Sequence, residues 1–157
     1  MSIERCRSYF RALGREWDIL EFPISSATVE LAAQAVGVEP ARIAKTLSFL
    51  VEDRCVLIVA AGDAKIDNAK YKAQFHTKAK MLTPEQVLDF TGHAVGGVCP
   101  FGIDRDDVTA YLDVSLQRFQ TVYPAAGSSN SAIELTCPEL EEYAHSAGWI
   151  DVCKNWA

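Results

Sequence analysis

The sequence lacks any apolar run long enough to cross a membrane, and it lacks the hydrophobic segment of a secretory signal peptide. Its 157 residues are 49% hydrophobic and 23% charged, which is typical of a globular protein that folds around one core. We therefore expect a single domain over residues 1–157, no membrane partner and a cytoplasmic location.

Recognisable metal-ligand motifs are also missing. The five cysteines include no CxxC pair, because the two nearest, Cys137 and Cys153, are sixteen residues apart. The three histidines form no HxxxH or HExxH pattern. We expect reduced, mostly buried thiols, no metal and no other cofactor.

The sequence has little positive charge overall, and its formal net charge of −6 argues against a protein that coats nucleic acid by bulk electrostatics. The positive charge is nevertheless concentrated in residues 65–80, where five lysines accompany the single acid Asp67. The lysines are Lys65, Lys70, Lys72, Lys78 and Lys80. They are candidate RNA contacts, and the alternative is a solvated helix face followed by a loop.

Hydrophobic periodicity predicts helices and strands that alternate with short connections. Helices are predicted over 3–13, 29–36, about 84–90 and about 138–147, with a short helical turn from residue 40. Strands are predicted over 17–22, 46–51, 55–60, 94–98, 109–114, 119–123, 132–135 and 149–153. The pattern indicates an α/β domain around a mixed, largely antiparallel sheet with flanking helices.

The most informative segment is Gly96-Gly97-Val98-Cys99-Pro100-Phe101-Gly102. Adjacent glycines allow backbone conformations closed to other residues and bring N–H groups close to a ligand, while Pro100 stiffens the loop. Such a loop can bind a carbonyl, carboxylate or phosphate. The alternative is a tight turn between two strands.

Lys45 is a lone cation at the head of an apolar strand. In an extended chain Lys45, Leu47 and Phe49 share one face, and Thr46 and Ser48 share the other. The lysine therefore either extends along apolar surface to the rim or stands at a pocket mouth, where it supplies a positive charge to a polar ligand.

These segments resemble the YbaK / prolyl-tRNA synthetase-associated editing domain family. The resemblance extends from about residue 22 to residue 148 and follows the family's order of motifs. The motifs are Ala44-Lys45-Thr46-Leu47, Ala61-Gly62-Asp63, the loop from Gly96 to Gly102, Tyr123-Pro124-Ala125-Ala126-Gly127 and Ile133-Glu134-Leu135. It implies a partly curled mixed sheet with flanking helices and a trans-editing aminoacyl-tRNA deacylase.

The resemblance also implies the site. Lys45 matches the family's essential lysine, which orients the aminoacylated 3′ end and stabilises charge there. The loop from Gly96 to Pro100 matches the GxxxP loop that holds the terminal adenosine and the ester, with Cys99 as pocket wall and not nucleophile. The implied substrate contacts are Phe22, Thr28, Thr46, Gly96, Gly97, Val98, Cys99, Pro100, Gly127 and Ser128.

The implied substrate is a small mischarged amino acid, cysteine, alanine, serine or threonine, on the acceptor end of tRNA(Pro), with prolyl-tRNA synthetase as a possible partner. Ala125 and Ala132 depart from the branch that clears cysteine, in which serine and aspartate are common. Two alternatives remain: a non-catalytic module that binds RNA 3′ ends, and a thiol enzyme in which Cys99 is the nucleophile. The nearby candidate base for that thiol is His93, for which an exposed loop position is the expectation.

Overall fold

The structure is a computed structural model that describes residues 2–25, 28–94 and 97–156. Its α-helices are α1 (Ser2–Ala12), α2 (Val29–Val36), α3 (Asn68–Phe75), α4 (Pro84–Thr91) and α5 (Cys137–Tyr143). Its strands are β1 (Ile19–Glu21), β2 (Ile43–Val51), β3 (Arg54–Ala61), β4 (Lys65–Ile66), β5 (Val108–Asp113), β6 (Thr121–Pro124), β7 (Ser131–Ile133), β8 (Leu135–Thr136), β9 (Trp149–Ile150) and β10 (Cys153–Lys154). Short 3₁₀ helices cover Glu16–Asp18, Pro40–Arg42 and Val114–Arg118.

A curled six-stranded sheet in the order β8-β6-β2-β3-β5-β9 forms the centre of the fold. The β2–β3 and β6–β8 pairs are antiparallel, and the β2–β6, β3–β5 and β5–β9 pairs are parallel. Two further antiparallel pairs, β1–β7 and β4–β10, lie outside this sheet. The prediction of a mixed α/β fold with flanking helices is confirmed. Four of these seven strand pairs are antiparallel and three are parallel, and the three parallel pairs all lie within the six-stranded sheet.

The β2–β3 hairpin carries the core on both of its faces. On one face Phe49 and Ile58 pack with Tyr71 of α3, and the Phe49 and Tyr71 rings lie 5.1 Å apart. On the other face Leu57 packs with Val87 of α4. The central hairpin therefore separates an α3 side of the sheet from an α4 side.

Local sequence signals explain the well-predicted helices. The Thr28 hydroxyl accepts a hydrogen bond from the Leu31 amide, and Gly37 ends α2 in the left-handed conformation. A capping box formed by Thr83 and Gln86 begins α4. The helices predicted over 3–13, 29–36 and about 84–90 are confirmed to within two residues, and the hairpin of 46–51 with 55–60 is confirmed with β2 beginning three residues earlier, at Ile43.

Several predicted elements are shorter than expected. Residues 16–18 form a 3₁₀ turn closed by the Asp18 amide on the Arg15 carbonyl, so the strand there spans only Ile19–Glu21. The helix predicted to residue 147 ends at Tyr143, because His145 adopts a positive φ of 48° and the Ala147 amide bonds to Ala110 of β5.

The strand predicted over 94–98 is absent from its described residues, 94, 97 and 98, while Val95 and Gly96 lie outside the described residues. Residues 131–136 and 149–154 each divide into two short strands with different partners. In the described part of the chain, no helix has the length and apolar character needed to cross a membrane.

Candidate active site

A cavity of about 360 Å³ lies on the α4 side of the sheet, against the first half of β2. Its walls come from α2, from residues 81–87 at the start of α4, from Val98 and from strands β6 and β7. Small side chains are frequent in these walls, including Ala32, Ala44, Ala125, Ser131 and Ala132. A cavity of this volume is near the lower end of the range for small-molecule sites.

Strand alternation places Thr46 and Ser48 on the cavity side of β2. Both residues line the cavity, and this agrees with the prediction that they share one face of the strand. The Thr46 hydroxyl is buried and has no hydrogen-bond partner among the described residues. It is a polar atom of the wall that the protein itself leaves unpaired.

Lys45 contributes to the cavity wall, and its ammonium group is held by the loop that follows β3. Its Nζ donates to the carbonyl oxygens of Gly62, at 3.4 Å, and Ala64, through a shorter bond. Burial lowers the pKa of Lys45, while the nearby Asp63 carboxylate raises it. Lys45 is therefore a half-buried cation, fixed by backbone dipoles, in a residue that lines the cavity although strand alternation places it on the face of β2 opposite to Thr46 and Ser48.

The loop from Ala61 to Ala64 is tightly anchored. Arg118 donates two hydrogen bonds to the Asp63 carboxylate, at 2.6 and 3.0 Å, and this pairing lowers the pKa of Asp63. Gly62 lies so close to the preceding 3₁₀ helix that an added Cβ would stand 2.0 Å from the Pro40 carbonyl oxygen and 2.7 Å from Cγ1 of Val29. Only glycine permits this approach, which positions the two carbonyls that hold Lys45.

The glycine-rich loop is placed by a similar close approach. An added Cβ at Gly97 would stand 2.8 Å from both the amide nitrogen and the Cα of Ser128, so the loop packs on the backbone of Gly127 and Ser128. Val98, the next residue, lines the cavity. Gly96, the other glycine predicted to contact substrate, lies outside the described residues.

Cys99 points away from this cavity into the core. Its Sγ lies 3.4 Å from Sγ of Cys6 on α1 and 3.5 Å from Nε2 of His93. Burial, and secondarily the contact with Cys6, raises the pKa of the Cys99 thiol. All five cysteines are free and four are buried, which agrees with the expectation of buried thiols.

The expectation that His93 is an exposed loop residue is wrong. It is fully buried, because the segment from Cys99 to Phe101 folds over it, and its Nε2 lies 3.1 Å from the Phe101 carbonyl oxygen. Burial lowers the pKa of His93 and favours the neutral ring. His93 is therefore in direct contact with Cys99, although its position in the sequence alone did not place it there.

Cys6, His93 and Cys99 bring three potential metal-ligand atoms within 4.8 Å of one another. Coordination through Nε2 would break the bond to Phe101 and place a proton on Nδ1, which has no acceptor nearby. Metal-bound histidines normally donate that second proton to a carbonyl or carboxylate. The cluster fits a packed core better than a metal centre.

The remaining predicted contacts divide into two groups. Thr28 lines the cavity, and Ser128 stands behind the wall, where its Oγ lies 2.6 Å from that of the lining residue Ser131. Phe22 is tied through its backbone to Asn130, and Pro100 borders a separate cavity of about 640 Å³. Lys45, Thr28, Thr46 and Val98 are thus brought together, whereas Phe22, Cys99 and Pro100 do not line the same cavity.

The predicted lysine surface is mostly exposed but not uniform. Lys65 lies in β4, Lys72 in α3, and Lys78 and Lys80 in the segment after α3, and all four are exposed. Lys70 is already engaged by Asp151, at 3.0 Å, and by the Cys153 carbonyl oxygen. The sequence reasoning did not include Lys154, which pairs directly opposite Lys65.

Comparison with known proteins places this geometry in a family. Residues 25–143 match the aminoacyl-tRNA editing domain family. The chain is 59% identical to the uncharacterised protein YwhH of Bacillus subtilis (strain 168) over 157 residues, covering 99% of each. It is 31% identical over 93 residues, or 59% of its length, to proline–tRNA ligase of Thermotoga sp. (strain RQ2), of which it covers 16%.

The fold comparison agrees with the sequence match. A crystal structure described as a candidate trans-editing enzyme for prolyl-tRNA synthetase superposes with a TM-score of 0.87 and 30% sequence identity, covering 98% of this chain and 97% of that one. The match extends over the cavity, the Lys45 strand and the glycine-rich loop. The chain belongs to the aminoacyl-tRNA editing domain family.

Proposed function

We propose that this protein is a trans-editing deacylase that hydrolyses the ester between tRNA(Pro) and a small mischarged amino acid. The observation that carries the proposal is the small-walled cavity of about 360 Å³ with the fixed cation Lys45 among its lining residues. Family membership and the similarity to a proline–tRNA ligase segment support the same reaction and the same tRNA.

The chemistry suits a site with few catalytic side chains. An aminoacyl ester is already an activated acyl group, and a neighbouring ribose hydroxyl or the amino acid's own side chain can assist its cleavage. The protein must then position the ester and an attacking water and stabilise the developing negative charge, which can supply several kcal/mol. Lys45, held by two carbonyl oxygens, is the group proposed to orient the 3′ end and supply the positive charge.

Selectivity is proposed to come from size. The cavity is bounded by β2, β6, β7 and the start of α4, so a larger aminoacyl group would have to displace the sheet or α4. One methylene in such a pocket is worth roughly 1–3 kcal/mol, enough for a second check but not for absolute exclusion. The substrates considered are cysteine, alanine, serine and threonine.

The test is single-turnover deacylation of tRNA(Pro) charged separately with alanine, serine, cysteine, threonine and proline. We expect at least one small mischarged species to be hydrolysed at least tenfold faster than prolyl-tRNA(Pro). The same amino acids on their own tRNAs serve as controls for tRNA identity. Equal rates with and without protein for every species would refute the proposed function.

A non-catalytic module that binds RNA 3′ ends is the second candidate. One observation favours it: both hydrogen bonds of the Lys45 ammonium go to the protein's own backbone. Such a module would bind the acceptor end with measurable affinity and protect the ester from spontaneous hydrolysis. The deacylation panel separates the two, since a binding module slows ester loss and a deacylase accelerates it.

A further inference from the structure

Two lysines face each other across the short β4–β10 ladder. Lys65 and Lys154 are directly opposite in the antiparallel register, and both are exposed. Directly opposite residues have Cβ atoms about 4.5–5.5 Å apart, and like charges in such a pair are destabilising. An anionic ligand bound between the two lysines would remove this electrostatic repulsion.

In the described part of the chain this pair has no directly bonded acid, although the Asp67 carboxylate lies close enough to Lys154 for the lysine charge to contribute to lowering the pKa of Asp67. Among the described residues neither lysine takes part in an ion pair. The three nearby carboxylates have other partners. Asp67 caps α3 by accepting from the Lys70 amide, Asp151 pairs with the Lys70 side chain and Asp63 pairs with Arg118.

The pair also adjoins the proposed active site. Ala64, whose carbonyl oxygen holds the Lys45 ammonium, directly precedes β4. The charge of Lys65 is close enough to contribute to lowering the pKa of Lys45, after the larger effect of burial. Lys65 is thus one residue away from a carbonyl group that holds Lys45, and Lys154 lies directly opposite Lys65.

We propose that Lys65 and Lys154 together bind a phosphodiester group of the RNA strand that leads to the aminoacylated 3′ end, an inference that rests on the proposed function. A phosphate between two ammonium groups accepts from both and removes their mutual repulsion. The single-stranded 3′ end of a tRNA places phosphates immediately before the nucleotide that carries the ester. The pair therefore sets the path by which the RNA enters the site.

The test uses an uncharged acceptor-stem hairpin ending in CCA, so that it does not depend on turnover. Its affinity is measured by fluorescence anisotropy between 50 and 200 mM KCl for the wild type, Lys65→Ala/Lys154→Ala and the control Arg11→Ala/Arg54→Ala, which changes two exposed cations outside the lysine surface. Each single-strand phosphate contact contributes about 0.7 to the slope of log K against log salt. We expect the slope to fall by about 0.7 in the first double variant, because the pair binds one phosphate, and to stay unchanged in the control, which removes the same charge from other surfaces.

A second arm separates the pair from the chemistry. With a mischarged tRNA that the wild type hydrolyses, Lys65→Ala/Lys154→Ala should raise KM and leave kcat at saturation unchanged, and Lys65→Arg/Lys154→Arg should restore KM. Equal slopes for both double variants, or an unchanged slope for Lys65→Ala/Lys154→Ala, would overturn the phosphate contact. If the wild type binds the hairpin but hydrolyses no mischarged tRNA, the proposed function fails while the slope still tests the pair.

Discussion

At the scale of single residues, the site depends on one cation whose environment is built by backbone atoms. Lys45 has no carboxylate among its hydrogen-bond partners, and the bidentate Arg118 pairing keeps Asp63 occupied next to it. The carbonyl oxygens of Gly62 and Ala64 fix the ammonium without cancelling its full charge. Such an arrangement keeps a positive charge available to a negatively charged or polarised substrate atom.

We expect Lys45→Ala to reduce single-turnover deacylation of the best mischarged substrate by about 10²-fold or more, as for removal of one preorganised electrostatic contact. Lys45→Arg should not restore full activity, because a broad planar guanidinium does not reproduce a compact ammonium between two carbonyls. The exposed Arg54→Ala is the control for loss of one positive charge. Near-wild-type turnover by Lys45→Ala, with thermal unfolding also unchanged, would remove Lys45 from the site.

A variant of Cys99 tests the alternative mechanism, in which a side chain of the glycine-rich loop acts as a nucleophile. Its thiol is fully buried against Cys6 and His93, and its pKa is raised by burial, so it is a poor thiolate. We expect Cys99→Ser to keep deacylation within about threefold of the wild type, because no covalent step is lost. Loss of activity by orders of magnitude, together with an acyl-thioester trapped on the wild type, would establish the thiol mechanism instead.

At the scale of elements, two loops beside the cavity are held in place by close backbone contacts. Gly62 brings the loop after β3 against Pro40, and Gly97 brings the glycine-rich loop against Ser128. Both contacts join segments far apart in the chain. The shape of the cavity therefore depends on positions at which no side chain fits.

Gly62→Ala should destabilise the protein by about 3 kcal/mol, because its Cβ overlaps the Pro40 carbonyl and backbone must move. For a chain of this size that corresponds to a fall in Tm of roughly 6–12 °C. The matched control is Gly14→Ala, where the added Cβ meets nothing within 4 Å and only the positive φ of 73° is strained, at about 1 kcal/mol.

Differential scanning calorimetry measures the Tm of both glycine variants, and deacylation assays measure their activity. Gly62→Ala should lose activity below its Tm as well, because the carbonyls that hold Lys45 move with the loop. Gly14→Ala lies at the end of α1 and should keep its activity. A Gly62→Ala protein as stable and as active as Gly14→Ala would show that the close approach has no structural or functional role.

The elements that could be predicted from the sequence are those with local signals. Helix α2 has a threonine cap and a terminal glycine, and the β2–β3 hairpin has two long β-rich runs, so both are confirmed. Helix α3 is not among the helices predicted from hydrophobic periodicity, because its few apolar residues show no helical repeat and Asp67 is its one clear start signal. Strands of two residues such as β9 and β10 exist only through pairing with distant partners, which local patterns do not encode.

In the candidate site too, local sequence patterns predict some residues, and long-range contacts determine the others. Thr46 and Ser48 follow from strand alternation, and both line the cavity. The burial of His93 depends on how the segment through Phe101 folds back over it, and Lys154 reaches Lys65 through a ladder that joins residues nearly ninety positions apart. Side chains brought together by such long-range contacts could not be assigned from the sequence.

At the scale of the whole molecule, its charges make stability depend on pH. Arg118 lowers the pKa of Asp63, and the Thr136 amide of the α5 capping box is the main cause of the lowered pKa of Glu139. A carboxylate with a lowered pKa stabilises the fold above its unfolded pKa, and this contribution is lost as pH falls through the folded value. Acid should therefore destabilise the protein through the Asp63–Arg118 ion pair beside Lys45 and through the cap of α5.

His93 adds a separate contribution at higher pH. Its folded pKa lies below the ordinary histidine value of about 6.5, because burial disfavours the charged ring. The unfolded chain then binds a proton that the folded protein does not, so stability is complete above about pH 6.5 and falls as pH is lowered from there toward the folded pKa. We expect urea unfolding free energies to decline between pH 7.5 and 5.5, before the carboxylates titrate.

His93→Gln isolates this contribution, since a glutamine amide can still donate to the Phe101 carbonyl but carries no titrating proton. The variant is expected to be less stable at every pH because of imperfect packing, yet to show a flatter profile between pH 7.5 and 5.5. His76→Gln, at an exposed histidine, is the control for removal of one imidazole ring. The same slope in His93→Gln and the wild type would mean that the buried ring takes up its proton in the folded protein as readily as in the unfolded chain. The segment from Cys99 to Phe101 would then cover a charged histidine, which is incompatible with the packing of Cys99 described above.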